Sequence, residues 1–226
     1  MKSSLALFIG ATLFSFTNAA LAGGTTEPDY CNPKVFYSKE IKTNNSKLER
    51  AHMYQLGQTK VMGVGVGDSK AQDLVNMASQ QSTATASDKY CTWYFNEGNS
   101  QAESLFTHKY VPNPSGLSPA TAAKKYNEAL KDEFANSVPS FLSCAQNHKY
   151  IAMGCNGQKH RGPGVFGMML AFSGCSPQNA ATIVNTVWGL NGVDAATRLA
   201  IIAEGQKLGD ADPEARARLQ QAFGAE

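Results

Sequence analysis

Acidic side chains are missing from a long part of this chain. Between Glu133 and Asp194 there is no Asp or Glu at all. A stretch of that composition cannot by itself supply the paired carboxylates of a glycoside hydrolase, or the oxygen-rich shell of a calcium or magnesium site. An excess of charge of either sign is missing as well: 20 Lys+Arg stand against 18 Asp+Glu, a formal +2. That balance excludes a polybasic nucleic-acid binder, so no nucleic-acid partner is expected. With 42% hydrophobic residues, a highly charged disordered chain is excluded too. Beyond residue 22 no apolar run approaches the roughly 20 residues of a membrane span. The most apolar stretch there is Val165 to Phe172. There is no C-x-x-C-H run for covalent haem and no G-x-S-x-G elbow for a serine nucleophile. The glycine run Gly63-Val64-Gly65-Val66-Gly67-Asp68-Ser69-Lys70 misses both phosphate signatures. A P-loop needs Lys directly after its glycine, the dinucleotide fingerprint needs its third glycine one residue later, and Asp68 would stand where phosphate must sit. The run reads as a tight turn or hinge. No cofactor is expected.

What is present begins with an export signal. Lys2, the apolar run Leu5 to Phe16, and Ala20-Leu21-Ala22 form the positive, apolar and cleavage regions of a secretory leader. Residues 1–22 are therefore expected to be a signal peptide, and 23–28 a flexible tether. No Cys follows the cleavage site to carry a lipid anchor. The expected destination is the periplasm of a bacterial envelope, or secretion. The five cysteines Cys31, Cys91, Cys144, Cys155 and Cys175 fit an oxidising compartment, where most should pair. Five cannot all pair within one chain. The expected bridges are Cys31–Cys91, tying the N-terminal segment to a strand, and Cys144–Cys155, closing a short loop. Cys175 is then left over, as a buried thiol or as half of a mixed disulfide.

The character of the chain changes near residue 115. Residues 29–111 read as an α+β region, 112–117 as a connector and 118–226 as helical. The expected class is α+β and mostly helical: a small strand and helix region packed on a C-terminal multi-helix bundle and stapled by disulfides. In the first part, Cys31 to Ile41, with Val35-Phe36-Tyr37, could be a short strand. Residues 48–66 are ambiguous, with Met53, Leu56 and Val61 at helix-compatible places. Asp68 caps a helix over 69–79, and 80–87 is a loop. Tyr90 to Phe95 is the clearest strand, with a turn at 96–99 and a return strand within 103–111. In the second part, Ser118-Pro119, Ser176-Pro177, Asp194 and Asp212-Pro213 each open a helix. Pro139 is expected to start a separate short element through Cys144, and Pro163 a helix to Phe172. Gly189 and Gly209 are the expected stops of two of these helices.

Chemistry is expected in the basic, glycine-rich segment 148–164. His148, Lys149, Lys159, His160 and Arg161 lie in the acid-free run, among Gly154, Gly157, Gly162 and Gly164. Cations at a helix N-terminus are unfavourable unless an anion is bound, because the dipole and free N–H groups there already favour negative charge. These five residues are therefore the candidate site for an anionic ligand or an envelope protein partner, in a non-catalytic accessory role. The competing structural reading pairs Lys159 and Arg161 with Glu204 or Glu214. A rival functional reading is a hydrolase or thiol enzyme using Cys155 with His160 or His148; Ser140 and Ser173 are weaker nucleophile candidates. A second rival is a soft-metal site for zinc or copper from Cys144, His148, Cys155 and His160, with Met153, Met168 and Met169 nearby in sequence. Trp93, Tyr94 and Phe95 are expected in the core, or with one ring presented to a partner.

Overall fold

The computed structural model describes residues 26–36, 38–40, 49–65, 91–95, 111–148 and 150–224. The leader over 1–22, the Asp68-capped helix, the loop 80–87, the turn 96–99, the return strand up to residue 110 and Lys149 lie outside the described residues. So does the second half of the glycine run, from Val66 on.

The chain adopts the expected α+β, mostly helical fold with two disulfides. The strands are β1 (Ser38–Glu40), β2 (Glu49–Leu56), β3 (Thr59–Gly65), β4 (Thr92–Phe95) and β5 (Tyr150–Cys155). The helices are α1 (Pro119–Ser143), α2 (Arg161–Phe172), α3 (Pro177–Trp188), α4 (Ala195–Ala211) and α5 (Pro213–Ala222). Ser118, Ser176, Asp194 and Asp212 cap α1, α3, α4 and α5 by accepting the N–H three residues on. Each such cap is worth about 1 kcal/mol. Pro stands in the first turn of three of these helices, where its missing N–H costs nothing.

The strands form one sheet in the order β1-β2-β3-β5-β4. β1, β2 and β3 run antiparallel, whereas β5 lies parallel to both β3 and β4. Gly65, Cys155 and Phe95 therefore stand level at the carboxyl ends of three parallel strands. β5 belongs to the second half of the chain and is inserted between two strands of the first. Sequence reading missed it. All six of its residues are buried, so it shows no alternation, the pattern of a parallel strand covered on both faces.

One ambiguity is resolved, and two further expectations, at Pro139 and Gly209, are corrected. The ambiguous residues 49–65 form a hairpin, with Tyr54 and Leu56 buried at strand spacing. The short strand expected within 31–41 is β1 at Ser38–Glu40, and Val35 lies in a turn. Pro139 does not start an element; α1 runs through it. Its ring is exposed, while Phe134, Ser137 and Phe141 keep one buried face continuous across it. Tertiary packing outweighs the missing N–H, and the helix ends in one π turn over Cys144–His148. In α4 Gly209 is likewise not a stop, and the helix continues to Ala211.

The expected disulfide pairs are both wrong. The bridges are Cys31–Cys175 and Cys91–Cys144, and Cys155 is the free, buried cysteine. β5 explains the error. Cys144 ends α1 just before the strand and Cys155 closes the strand, so the strand's length, about 17 Å, stands between them. Cys91 instead lies beside the start of β5, where its carbonyl accepts the Ala152 N–H at 2.8 Å. Cys31 is in a short 3-10 turn docked on the end of α2, where the Tyr30 hydroxyl donates to the Ser173 carbonyl at 2.9 Å.

α2 is the central rod, and all twelve of its residues are buried. A helix apolar all round has to be covered on every side. Sheet residues cover it through Tyr54, stacked on Phe166 at 4.5 Å between ring centres. α4 covers it at Gly205, where a Cβ would fall 2.1 Å from the Met168 carbonyl oxygen, so only glycine allows the two backbones to meet. Trp93 and Phe95 of β4 are buried on one face, and Trp93 packs on Phe134 and Phe141 of α1.

Candidate functional site

In open sheets of parallel strands, ligands bind beyond the carboxyl ends of the strands. Here β5 ends at Cys155, residues 156–160 turn, and α2 begins at Arg161. The helix opens two residues earlier than the Pro163 start expected from sequence, so Arg161 is its first residue and His160 its N-cap. His160 supplies no side-chain cap.

Backbone strain gathers around this loop. Among the described residues, three that are not glycine have positive φ: Arg50 at 49°, Gln158 at 46° and Asn191 at 46°. Each such residue costs on the order of 1–2 kcal/mol. Gln158 is in the loop itself. Arg50 donates from Nη1 to the Gly157 carbonyl at 3.1 Å, and His160 donates from Nε2 to the Asn191 carbonyl at 2.7 Å. Strained residues held in place by their surroundings concentrate at functional sites.

Beneath the loop lies the free thiol. Cys155 Sγ accepts the Gly162 N–H at 3.3 Å and lies 3.6 Å from Gln158 Oε1. Burial pushes the thiol pKa up, and the backbone N–H groups of Gly162, Gln158 and Gly157 and the Arg161 charge only partly offset this. The thiol is therefore protonated at neutral pH. Gly162 makes room for Gln158: a Cβ there would lie 2.2 Å from Oε1.

Two buried guanidinium groups flank the thiol. Arg161, 8% exposed, donates from Nε to the Val111 carbonyl at 2.7 Å. Arg198 of α4 has no exposed surface. Its Nη2 donates to the carbonyls of Lys159 at 3.1 Å and Leu190 at 3.3 Å. Its Nε and Nη1 have no partner, and neither do Gln158 Nε2 and the Tyr126 hydroxyl. Arg198 is paired with no carboxylate among the described residues. Glu204, named from sequence as a possible partner of this region, is held by Asn127 at 3.0 Å and Lys207 at 2.6 Å. Burial lowers the Arg198 pKa, with only the Tyr126 and Cys155 groups acting in the other direction. Burial likewise raises the Tyr126 hydroxyl, which also feels the charges of Cys155, Arg161 and Arg198. Phenol, thiol, amide and guanidinium groups thus form one buried cluster. A buried ion without a counter-ion costs several kcal/mol, so its retention needs a reason.

The expected site is divided by this geometry. Lys159 and His160 are half-buried at the loop, and Arg161 is beneath it. Burial pushes the His160 pKa down, the Asn191 carbonyl opposes this, and the three neighbouring cations reinforce it, so the ring is neutral at pH 7. The His148 backbone lies in the π turn before β5, at the far end of the strand from Cys155. The segment 148–164 is therefore not one collar. The thiol pair expected from sequence does not form either: Cys155 and His160 each bond other groups. Of the proposed metal ligands, Cys144 is in a disulfide, and Met153, Met168 and Met169 are buried core. Glu27, Cys31 and Cys175 come together as well, but both sulfurs are bridged and Glu27 accepts from Ser176 and Asn179.

Sequence reading missed Arg198, Gln158 and the hydroxyl of Tyr126. Arg198 had a readable signal, since it shares a helix face with Ile201, Ile202 and Gly205, all buried. Gln158 had none, because its left-handed backbone is set by tertiary contacts. No protein-family model, no curated protein and no solved structure matches this chain.

Proposed function

We propose that the chain is an exported, non-catalytic binding protein of the bacterial envelope. It engages an anionic ligand, or an anionic group of a protein partner, through residues 156–161 and the side chains beneath them. The leader at 1–22 and the two disulfides support export to the periplasm or beyond. One observation carries the binding reading: the buried Arg198 guanidinium has two unpartnered nitrogens and no carboxylate partner among the described residues. The α2 N-terminus points its dipole into the same cluster, and guanidinium plus helix N-terminus is a good environment for an anion. The thiol-enzyme reading has less support, since Cys155 is protonated and, among the described side chains, bonds Gln158 and not a histidine.

The experiment is thermal unfolding of the oxidised protein in acetate, glutarate, phosphate, sulfate and chloride at matched ionic strength. At least one anion is expected to raise Tm above the chloride value in the parent and not in Arg198→Met. No anion-specific rise, or an equal rise in both proteins, overturns the binding reading. N-terminal sequencing of protein from the envelope fraction is expected to begin at Gly23; recovery of intact leader in the cytoplasm overturns export.

A further inference from the structure

The unpartnered atoms around Cys155 have a common character. Arg198 Nε and Nη1 and Gln158 Nε2 can only donate, and the Tyr126 hydroxyl is free to donate. They belong to three separate parts of the fold: α1, the loop after β5, and α4. The Gly162 N–H, at the start of α2, adds a fourth direction and at present meets only the thiol sulfur. Tyr126, Gln158 and Arg198 have 0% exposure, so water does not satisfy these donors from bulk solvent. Such a set is complementary to a ligand that is all acceptor. A carboxylate offers two oxygens in one plane. A tetrahedral oxyanion offers three or four oxygens in diverging directions, which matches donors arriving from α1, α2, α4 and the loop. The strained backbone at Gln158 is what brings its amide under the loop rather than into solvent.

Resting on the anion-binding reading above, we infer that the ligand is a tetrahedral oxyanion of phosphate or sulfate type, held by Arg198, Gln158, Tyr126 and the α2 N-terminus directly against the Cys155 sulfur. Occupancy then shields the single free thiol of the protein. A neutral thiol does not repel the anion, and the low basicity of His160 keeps the loop from acting as a proton source.

The test uses that thiol. The oxidised protein is treated with methyl methanethiosulfonate, a small uncharged reagent, and labelling of Cys155 is followed by intact mass. Inorganic phosphate, sulfate, phenyl phosphate, acetate and glutarate are compared with chloride at equal ionic strength. Phosphate or sulfate at saturation is expected to slow labelling at least tenfold, and Arg198→Met to abolish the effect with an unchanged circular dichroism spectrum. Tyr126→Phe, which leaves the charge in place, is expected to raise the concentration for half-protection three- to tenfold. It carries the test should the Arg198 variant not fold. Protection by inorganic phosphate but not by phenyl phosphate assigns the free ion as ligand; protection by both extends the site to phosphate esters. Protection by acetate or glutarate alone leaves an anion site standing and overturns the tetrahedral ligand. No protection by any tetrahedral anion, or protection that survives in Arg198→Met, also overturns it. The Tm panel then decides separately whether an anion site exists at all.

Discussion

The two ends of α2 are built on opposite plans. At its C-terminus every visible group is paired. Arg216 donates from Nε to the Phe172 carbonyl at 3.1 Å, Ser173 Oγ donates to Leu170, and Tyr30 donates to the Ser173 carbonyl. A cation beside the last carbonyls is where the dipole favours one. Two residues past the helix, Cys175 is bridged to Cys31. At its N-terminus the cations stand against the dipole, four donor atoms lack partners, and the cysteine is free. The same rod is locked at one end and left unsatisfied at the other. Stability is thus assigned to one end of the element, and the proposed recognition to the other.

The comparison can be broken by substitutions at each end. The largest effect is expected from Cys31→Ala with Cys175→Ala, a bridge spanning 144 residues. Constraint of the unfolded chain predicts a loss of about 2–5 kcal/mol in urea unfolding. The anion-dependent rise in Tm should persist in this variant wherever it still folds. Next, Arg216→Ala removes the bonds to Phe172 and Gln206 and the ion pair with Asp210. It is expected to cost about 2 kcal/mol, read the same way.

Tyr30→Phe is expected to cost about 1 kcal/mol at neutral pH. Burial pushes the Tyr30 hydroxyl up to about 12, with the bond to Ser173 and the charge of Arg216 acting in the other direction. The folded value lies above the ordinary value near 10, so the neutral phenol favours the fold. That contribution is complete below pH 10 and is lost as the pH rises through 12. Parent stability should therefore fall between pH 10 and 12 by more than that of the Phe variant; equal curves would place the ionisation elsewhere.

The smallest change in stability is expected at the other end. Arg198→Met removes a costly buried charge together with two bonds to carbonyls, and these oppose one another. Stability is expected to stay within about 1 kcal/mol of the parent while the response to anions disappears. A large loss of stability with anion response intact would make Arg198 a structural staple and erase the contrast between the ends. A thiol titration sharpens the same contrast: one thiol should react, at once after unfolding and slowly in the native protein.

Much of the helical half was legible because its signals are local. Ser118, Ser176, Asp194 and Asp212 cap helices through bonds to residues three positions on, so the sequence neighbourhood contains the whole interaction. Gly205 and Pro139 show where locality fails, since what surrounds them comes from elsewhere in the chain. β5 was illegible for the same reason: Tyr150–Cys155 is too short for a helix and lacks alternation, and only its two neighbours make it a strand. Missing it led directly to the wrong cysteine pairs. At the site, Arg161 and His160 stood out because the surrounding acid-free run makes cations conspicuous. The groups that complete the cluster, Tyr126 and Arg198, come from α1 and α4, which no spacing rule connects to residue 155.

The nesting of the bridges bears on how the chain matures. Cys91–Cys144 lies within the span enclosed by Cys31–Cys175, so no two cysteines adjacent along the polypeptide are partners except the inner pair. A chain threaded through a membrane from its N-terminus delivers Cys31 and Cys91 first, and these are not partners. An oxidant that joins thiols in order of arrival would trap them. Reaching the native connectivity from such a bond takes thiolate attack on it and reshuffling.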